Sequence, residues 1–432
     1  MEYDEALTWL EGRYNLEQKL GGADVPPPTL DRMRALVEMM GDPQDAAPVI
    51  HLTGTNGKGS TSRMISELLL AHGLDVGGYS SPHIDKVNDR ITRGNQRLTD
   101  DEFAEAISLV AAIEPLARND AGPINYFEAV CAAAYGWFAA NAISVMVVEV
   151  GLGGTWDATN VANADVAVVT NVAMDHAEII GPELTDIARE KSGIIKPDSH
   201  VILGVTDHDL TAVFRARESR DIWQQGVEYD LLDNRLAVGG RFFTVRTPGA
   251  VYEEVFSPIH GAHQGNNAAA AIAAVEAFFG RALDQKMVED AFAQLSLPAR
   301  FEILHRQPLV AVDGAHNPAG AETAAETLFS DFVAAEAPVL VLGCNRPHDP
   351  MELLTALRAS EASAIVATAP DWPRAVDPAL VAKAAESFGV PVETCPNVGD
   401  AIDRAIALAG EGGVVLVCGS LYVAGEARHH LG

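Results

Sequence analysis

The feature that most constrains this fold is a repeated alternation of short apolar runs with stretches of helical periodicity. The runs are rich in β-branched residues and end in glycine or polar turns, as at residues 48–54, 144–151 and 164–172. Uninterrupted apolar strands that alternate with helices are typical of a mostly parallel sheet covered on both faces. The pattern therefore predicts an α/β protein.

A second series of apolar runs begins near residue 301 and occupies residues 309–314, 338–343, 364–369 and 414–420. A chain of 432 residues that is 48% hydrophobic can bury more than one core. We place a boundary at 297–298, after a predicted helix at 285–295. It separates a larger, mostly parallel-sheet α/β domain (1–297) from a smaller α/β domain (298–432). Residues 227–258 carry turn signals at Asp233-Asn234 and Gly239-Gly240, which predict antiparallel strands.

The charge balance narrows the range of partners. There are 60 acidic and 30 basic residues, giving a formal net charge of −30. Such a surface repels nucleic acid and anionic lipid, so we expect neither as a partner. Anionic small molecules stay possible, because a loop of backbone N–H groups binds phosphate whatever the net charge.

Cysteine usage and the N-terminus predict a cytoplasmic protein. The four cysteines form no Cys-x-x-Cys pair, which predicts neither a disulfide framework nor a zinc site. The N-terminal segment is acidic and amphipathic, unlike a signal peptide. Residues 129–148 are uncharged over a length that could span a bilayer, but they are alanine-rich and divided by Asn141. We interpret them as a buried helix (127–140) and a strand (143–150), and we expect no membrane partner.

The strongest local signal is the glycine loop at residues 54–61, between a predicted strand (49–52) and a predicted helix (62–71). Glycines let successive N–H groups converge on a phosphate, and the helix adds its positive end. Lys58 would neutralise the β and γ phosphates, and a hydroxyl of Ser60 or Thr61 would bind Mg²⁺. An extra glycine, Gly59, departs from the usual P-loop spacing; a glycine turn without a ligand is the alternative. The predicted nucleotide contacts here are Thr55, Asn56, Gly57, Lys58, Gly59, Ser60 and Thr61.

Ordered motifs carry a resemblance to a known family. They are GTNGKGST (54–61), SSPHIDKVNDRI (80–91), NYFE (125–128), VEVGLGGTWDATN (148–160), MDH (174–176), IAREKSGIIKP (187–197), HQGNN (263–267), LPARFE (297–302) and DGAHNP (313–318). Together they resemble the Mur-type ligases, specifically the folylpolyglutamate synthase/dihydrofolate synthase branch. The resemblance implies a mostly parallel-sheet P-loop ATPase domain (1–297) followed by a smaller Rossmann-like α/β domain (298–432). It further implies an ATP- and Mg²⁺-dependent monomeric enzyme of folate biosynthesis and one-carbon metabolism. It would join L-glutamate to folate or dihydropteroate through an acyl phosphate.

The resemblance also implies metal and catalytic residues. It places one Mg²⁺ among Ser81, Glu149 and His176, beside the hydroxyl of Ser60. A second Mg²⁺ would be held by Lys191 as a carbamate, which requires a lysine whose pKa is lowered by burial or nearby cations. Lys58, His176 and Lys191 are thus the predicted catalytic residues. The alternatives are a strand-end carboxylate, a structural histidine, and an ion pair of Lys191 with Glu190 or Glu183.

Further nucleotide and substrate residues follow from the resemblance. Asn267, Arg300, Asp313 and His316 match positions that complete the ATP site from the linker and second domain. A surface salt bridge is the alternative for Arg300. Residues matching segments near the pterin are Asn125, Tyr126, Phe127, Glu128, Trp156 and Asp157. Core packing is the alternative for their aromatic rings.

Three departures from the family pattern bear on substrate choice. Thr155 stands where the family usually has arginine, so one cation is missing near the acidic substrate. Ala299 replaces a glycine in the hinge, which predicts a slightly stiffer connection. Residues 344–349 replace a stretch commonly rich in lysine and aspartate, and Arg346 and His348 are candidates to substitute for it.

Two other functions compete with this interpretation. A peptidoglycan amino-acid ligase generally carries an additional N-terminal domain, whereas the glycine loop here begins at Gly54. A nucleotide-binding module without ligase activity would be expected to lose metal or carbamate residues, yet Glu149, His176 and Lys191 are all present.

Overall fold

The computed structural model describes residues 1–18, 29–118, 121–175, 177–332 and 337–432. The described helices are α1 (Tyr3–Glu11), α2 (Asp31–Met39), α3 (Lys58–Ala71), α4 (Asp100–Ala117), α5 (Tyr126–Ala140), α6 (Ala177–Ile180), α7 (Leu184–Lys191), α8 (His208–Arg215), α9 (His263–Phe279), α10 (Gln285–Ala293), α11 (Pro318–Asp331), α12 (Pro350–Ala356), α13 (Pro378–Ala385), α14 (Val398–Ala409) and α15 (Leu421–Leu431).

The described strands are β1 (Val49–Thr53), β2 (Val76–Tyr79), β3 (Ile91–Arg93), β4 (Gln96–Arg97), β5 (Val145–Glu149), β6 (Val166–Val169), β7 (His200–Leu203), β8 (Asp221–Gln224), β9 (Asp230–Ala237), β10 (Gly240–Arg246), β11 (Val251–Ser257), β12 (Glu302–Arg306), β13 (Leu309–Val312), β14 (Val339–Leu342), β15 (Ala364–Ala367), β16 (Val392–Thr394) and β17 (Val414–Cys418).

The first sheet has the order β4-β3-β2-β5-β1-β6-β7-β8. Strands β2, β5, β1, β6, β7 and β8 pair in parallel, and β3 and β4 add an antiparallel edge. The central strands β1, β5 and β6 are buried along their whole length, because helices cover both faces. One core lies under α3, α9 and α10, and the other under α1, α2, α4 and α5. The predicted mostly parallel sheet is confirmed.

A three-stranded antiparallel sheet of order β11-β10-β9 follows. The turn at Gly239 has a φ of +75°, which favours glycine, and that turn signal is confirmed. The signal at Asp233-Asn234 is wrong, because both residues lie inside β9 and pair with β10. The Asn234 amide donates a hydrogen bond to Ala262 O (2.7 Å) and is therefore used in tertiary packing.

The second domain is built on a sheet of order β12-β13-β17-β14-β15-β16, in which only β12 is antiparallel. Apolar clusters cover both faces of this sheet. The chain passes from α10, which ends at Ala293, to β12, which begins at Glu302. A second, smaller α/β domain is thus confirmed, while the boundary at 297–298 stays a prediction.

Residues 126–149 form helix α5, then strand β5, in the buried core. Within the described ranges, no helix combines the length and apolar character needed to cross a bilayer.

Candidate active site

A cavity of about 400 Å³ opens where β1, β5 and β6 end, and the second domain closes it. Its lining includes residues 54–60, Glu149 and Lys191 from the first domain, and Arg300 and His316 from beyond it. Ligands of open parallel sheets bind outside the carboxyl ends of the strands, where this cavity lies.

Glycines of the loop at 54–61 are required by close contacts. A Cβ at Gly54 would lie 1.8 Å from Thr170 Oγ1, and a Cβ at Gly57 would lie 2.6 Å from Asn267 Oδ1. Gly57 also has a φ of +84°. The loop is therefore shaped by glycine against two neighbouring segments, one of which carries the predicted nucleotide residue Asn267.

Helix α3 begins at Lys58 rather than at residue 62, so that expectation is wrong. The Thr61 N–H donates to Gly57 O at 2.9 Å, which closes the first turn earlier than the sequence indicated. The Lys58 ammonium donates to Gly54 O (3.0 Å) and Thr55 O (3.3 Å) and so lies across the mouth of the loop.

Ser60 and Thr61 differ in what they can reach. Ser60 lines the cavity. The Thr61 hydroxyl is buried, and it has no hydrogen-bond partner in the part of the chain that the structure describes. Of the two residues left open by the motif, Ser60 is the one that lines the cavity.

Asn171 is a residue that the sequence reasoning missed. Its Oδ1 accepts hydrogen bonds from the backbone N–H groups of Thr55 (3.1 Å) and Asn56 (2.9 Å). It is the second residue after β6, at the strand end where the parallel-sheet rule places ligand sites. That position was the available signal.

Glu149 ends β5 inside the cavity and is only 5% exposed. Burial raises the pKa of its carboxyl to about 7, while Lys58, Arg300 and the Ser81 backbone N–H oppose the shift. A buried carboxylate near phosphate-binding groups needs a cation to offset its desolvation. Ser81 also lines the cavity.

Lys191 ends α7, lines the same cavity and is 5% exposed. Burial, followed by the charge of Lys58, lowers the pKa of its ammonium to about 7. The Glu190 carboxylate accepts the Trp156 N–H at 3.2 Å. Glu183 caps the start of α7.

His176 lies outside the described residues. Its neighbour Asp175, which the sequence reasoning missed, lines the cavity and accepts a hydrogen bond from Asn317 Nδ2 (3.0 Å). Among the described side chains, no group of three or more His, Cys, Asp or Glu could hold a metal ion. A metal here would therefore draw on the Glu149 carboxylate and the Ser60 and Ser81 oxygens, together with donors outside that set. Such oxygen donors fit Mg²⁺.

Arg300, Asp313 and His316, which the resemblance assigns to the nucleotide site, all line the cavity. An Arg300 Nη2 lies near Gly59, on the same side as the Glu149 carboxylate. The Asp313 carboxylate accepts the backbone N–H groups of Phe301 and Ala315, both at 2.8 Å, so part of its capacity fixes the connection between the domains. The His316 ring approaches the His348 ring, with centroids 5.7 Å apart.

The residues predicted to contact the pterin have other neighbours. Asn125 and Glu128 form the capping box of α5, and Glu128 also accepts a bidentate hydrogen bond from Arg32. The Asp157 carboxylate accepts the N–H groups of Leu152 and Thr159. All six predicted substrate residues are described, and none lines the cavity. Their substrate role stays a prediction.

The structure also shows the surroundings of Thr155 and Arg346, two residues that depart from the family pattern. The Thr155 hydroxyl donates to Glu190 O (3.0 Å), so it binds the end of α7. Arg346 lines a separate, shallower hollow of about 570 Å³ on the second domain. Of these two candidates, His348 is therefore nearer the cavity, because its ring contacts His316, which lines it.

Two α/β domains that close a glycine loop, a buried glutamate and a buried lysine between them define a nucleotide-dependent enzyme. The Mur ligase middle domain model matches residues 52–275, and the Mur ligase, glutamate ligase domain model matches residues 299–421. The dihydrofolate synthase/folylpolyglutamate synthase of Mycobacterium tuberculosis is 35% identical, over 98% of this chain and 94% of that protein.

Solved structures of folylpolyglutamate synthases are similar to this chain over its whole length. Mycobacterium tuberculosis folylpolyglutamate synthase complexed with ADP superposes with a TM-score of 0.91 at 34% identity, covering 100% of this chain and 98% of that one. A bifunctional folylpolyglutamate synthase/dihydrofolate synthase with Mn, AMPPNP and L-glutamate bound gives 0.85 at 26% identity, covering 100% and 98%. The chain belongs to the Mur ligase family, in its folylpolyglutamate synthase/dihydrofolate synthase branch, and is an ATP-dependent ligase.

Proposed function

We propose that this ligase joins the amino group of L-glutamate to a folate-type carboxylate through an acyl phosphate. The acceptor is tetrahydrofolate or its polyglutamates, dihydropteroate, or both. The observation that carries the proposal is the cavity in which the glycine loop, Lys58, Glu149 and Arg300 converge. The names of the relatives, and the L-glutamate bound in one of them, support the substrates.

ATP would lie with its terminal phosphates on the loop at 54–61. The N–H groups at the start of α3 and the Lys58 ammonium would neutralise phosphate charge. Arg300 would reach the same phosphates from the second domain. Asn267, beside Gly57, would lie further along the nucleotide. Phosphoryl transfer depends mainly on such positioning and charge neutralisation.

Mg²⁺ would be held by Ser60, Ser81, Glu149 and His176, and a second ion by carbamylated Lys191. These cations supply charge neutralisation at the β and γ phosphates. The buried Glu149 carboxylate supports the first site, and the Mn bound in a related structure supports a divalent ion. The Lys191 ammonium, whose pKa is lowered to about 7, supports the carbamate, because a substantial share of the amine is then neutral near pH 7 and the neutral amine is the form that adds to CO₂.

The reaction would proceed in two displacements. An acceptor carboxylate oxygen attacks the γ phosphorus, the bond to the ADP oxygen breaks, and an acyl phosphate forms. The neutral glutamate amine then attacks the acyl carbon, phosphate leaves, and the amine proton passes to solvent or phosphate. Residues 54–61 and Arg300 hold the leaving and transferred phosphates in line.

The direct test is ADP release by the purified protein with Mg-ATP, L-glutamate and either dihydropteroate or tetrahydrofolate. Release that requires both a pterin and glutamate supports the proposal, and Lys58→Ala is expected to abolish it. Exposed Lys286→Ala is the matched control and is expected to retain activity. ADP release with no dependence on any pterin would contradict the folate acceptor.

A different acid acceptor is the second candidate, favoured by Thr155. The arginine usual at that position is missing, and Thr155 instead binds the backbone of α7. A panel of aromatic and amino-acid carboxylates in the same assay separates the two candidates. We further propose a monomer located in the cytoplasm; four free cysteines support the reducing compartment.

A further inference from the structure

A buried ion pair joins the two domains away from the glycine loop. Arg241 in β10 donates from Nη1 to both carboxylate oxygens of Asp331, at 2.8 and 2.9 Å. Their side chains are only 7% and 3% exposed. Removing one partner of such a pair leaves an uncompensated buried charge, so we expect either loss to affect the protein measurably.

The same carboxylate also binds the linker that leads into α9. Asp331 Oδ2 accepts the Gly261 N–H at 2.9 Å. Asn234 completes the cluster, since its Oδ1 accepts from Arg241 Nε (2.8 Å) and its amide donates to Ala262 O (2.7 Å). The end of α11, the start of α9 and the antiparallel sheet therefore meet at one point.

Both helices that meet there form walls of the nucleotide cavity. Helix α9 begins at His263, and His263, Asn266 and Asn267 line the cavity. Helix α11 ends at Asp331, while its first turns contribute Gly320 and Thr323 to the same lining. At 1.5 Å per residue, the 14 residues of α11 span about 21 Å between these ends.

Close packing at Gly261 shows how little room separates the two helices. Gly261 has a φ of +93°, and a Cβ there would lie 2.8 Å from Thr327 Oγ1 of α11 and 2.4 Å from the His263 ring. The Phe332 ring also packs on His260, with centroids 4.9 Å apart. Helix α11 is thus fixed against the α9 linker by contact as well as by charge.

We propose that Asp331 and Arg241 are positioning residues for the nucleotide, because together they set the spacing of α9 and α11 across the cavity. Neither residue touches the cavity itself, so their effect passes through the two helices. The inference rests on the proposed function only in placing the nucleotide in this cavity.

The test measures affinity for MgADP directly, together with the KM for ATP and kcat, in the full-length protein. Arg241→Met and Asp331→Asn are each expected to weaken MgADP binding about tenfold and to raise the KM for ATP similarly, with a smaller change in kcat. Arg241→Lys keeps one hydrogen bond to Asp331 and is expected to lose less. Gly261→Ala, which forces the helices apart without removing a charge, is expected to weaken MgADP binding as well.

The controls separate this inference from stability and from the nucleotide site. Arg404→Met breaks an ion pair with Glu393 that is 46% and 40% exposed, and it is expected to leave MgADP affinity unchanged. Should Arg241→Met fail to fold, Arg241→Lys and Gly261→Ala carry the test. Lower melting temperatures with MgADP affinity unchanged within about twofold would overturn the inference. If Lys58→Ala also left MgADP affinity unchanged, the nucleotide site itself would be misplaced.

Discussion

Glu149 and Lys191 face the same cavity, and burial shifts their pKa values in opposite directions, each to about 7. Desolvation disfavours both charged forms, so it raises a carboxyl pKa and lowers an ammonium pKa. The two groups therefore titrate together near neutrality. Mg²⁺ would supply a positive partner for the Glu149 carboxylate, and carbamylation would turn the neutral Lys191 amine into an anion that also needs a cation.

Glu149→Gln is expected to stabilise the free protein in a pH-dependent way. The folded pKa of Glu149 lies above its ordinary value of 4.5, so the folded state holds a proton that the unfolded state releases between pH 4.5 and about 7. Wild-type stability therefore falls as pH rises through that window, whereas the glutamine variant lacks this loss. Melting temperatures measured across the window, without nucleotide, should show an advantage of the variant that grows with pH. A constant difference would contradict the buried carboxylate.

Lys191→Ala is expected to remove turnover, and added short carboxylates should partly restore it. The wild-type enzyme should lose activity in CO₂-depleted buffer and recover it with bicarbonate. Carbamate formation should rise as pH increases through about 7, because the amine is neutral above its pKa. A ¹³C-carbamate signal from labelled bicarbonate, absent in Lys191→Ala, is the independent measurement. Wild-type rates in the variant would end the carbamate proposal.

At this scale the sequence predicted the residues that face the cavity better than those that hold it in place. Lys58, Glu149 and Arg300 lie in distinctive motifs and line the cavity. Asn171 was missed because its side chain binds backbone N–H groups of the glycine loop. No sequence motif marks that role, apart from the position of Asn171 after a strand. Asp157 and Glu128 were marked for substrate, yet they accept backbone hydrogen bonds, which a motif cannot distinguish from ligand contacts.

Among the elements, the connection between the domains has an unusual backbone. Ala299 has a φ of +56° and Phe301 a φ of +47°, in the left-handed region that disfavours side chains. The Asp313 carboxylate holds this backbone through the Phe301 N–H. Besides the stiffness expected of alanine at position 299, the backbone there is therefore strained, and a glycine would relieve that strain.

Ala299→Gly is expected to raise the free energy of unfolding by about 1 kcal/mol, since relief of the left-handed conformation exceeds the added entropy of the unfolded chain. Ala384→Gly, inside α13, is the matched control and should lower it by about 1 kcal/mol. Urea unfolding measures both. A loss of stability in Ala299→Gly would contradict the strain.

Glu128 tests whether the start of α5 serves structure or substrate. Its carboxylate caps α5 and pairs with Arg32, and both side chains are at most 5% exposed. Glu128→Ala is expected to cost about 3–5 kcal/mol of stability, because the buried Arg32 guanidinium loses its carboxylate partner and keeps only its hydrogen bond to the Ala121 carbonyl. The double variant Arg32→Leu/Glu128→Leu should recover most of it. A stable Glu128→Ala protein with a raised KM for the pterin would instead show a substrate role.

Strands could be predicted at this scale because burial on both faces leaves uninterrupted apolar runs. That pattern located β1, β5 and β6. Asp233-Asn234 failed as a turn signal because the Asn234 side-chain amide donates a hydrogen bond to the Ala262 carbonyl. This tertiary hydrogen bond stabilises Asn234 inside β9. Turn propensity, which depends only on local sequence, carries no information about such a tertiary hydrogen bond.

On the scale of the whole molecule, the candidate active site lies where the two domains meet. Asn56 of the glycine loop and Asn317 before α11 exchange amide hydrogen bonds, at 3.1 and 3.4 Å. Neither residue is distinctive in sequence, and the relative placement of two domains follows from many such contacts. The net charge of −30 does not oppose this site, because the cavity collects Lys58 and Arg300 around backbone N–H groups.

The central claim is that the cavity between the domains activates a carboxylate by moving phosphate onto it. The measurement is to supply the acceptor with ¹⁸O in its carboxylate, run a turnover with Mg-ATP and L-glutamate, and weigh the inorganic phosphate. The account predicts a single ¹⁸O in each phosphate, because the acceptor oxygen leaves with phosphorus when the amide forms. Unlabelled phosphate accompanying amide formation would contradict it.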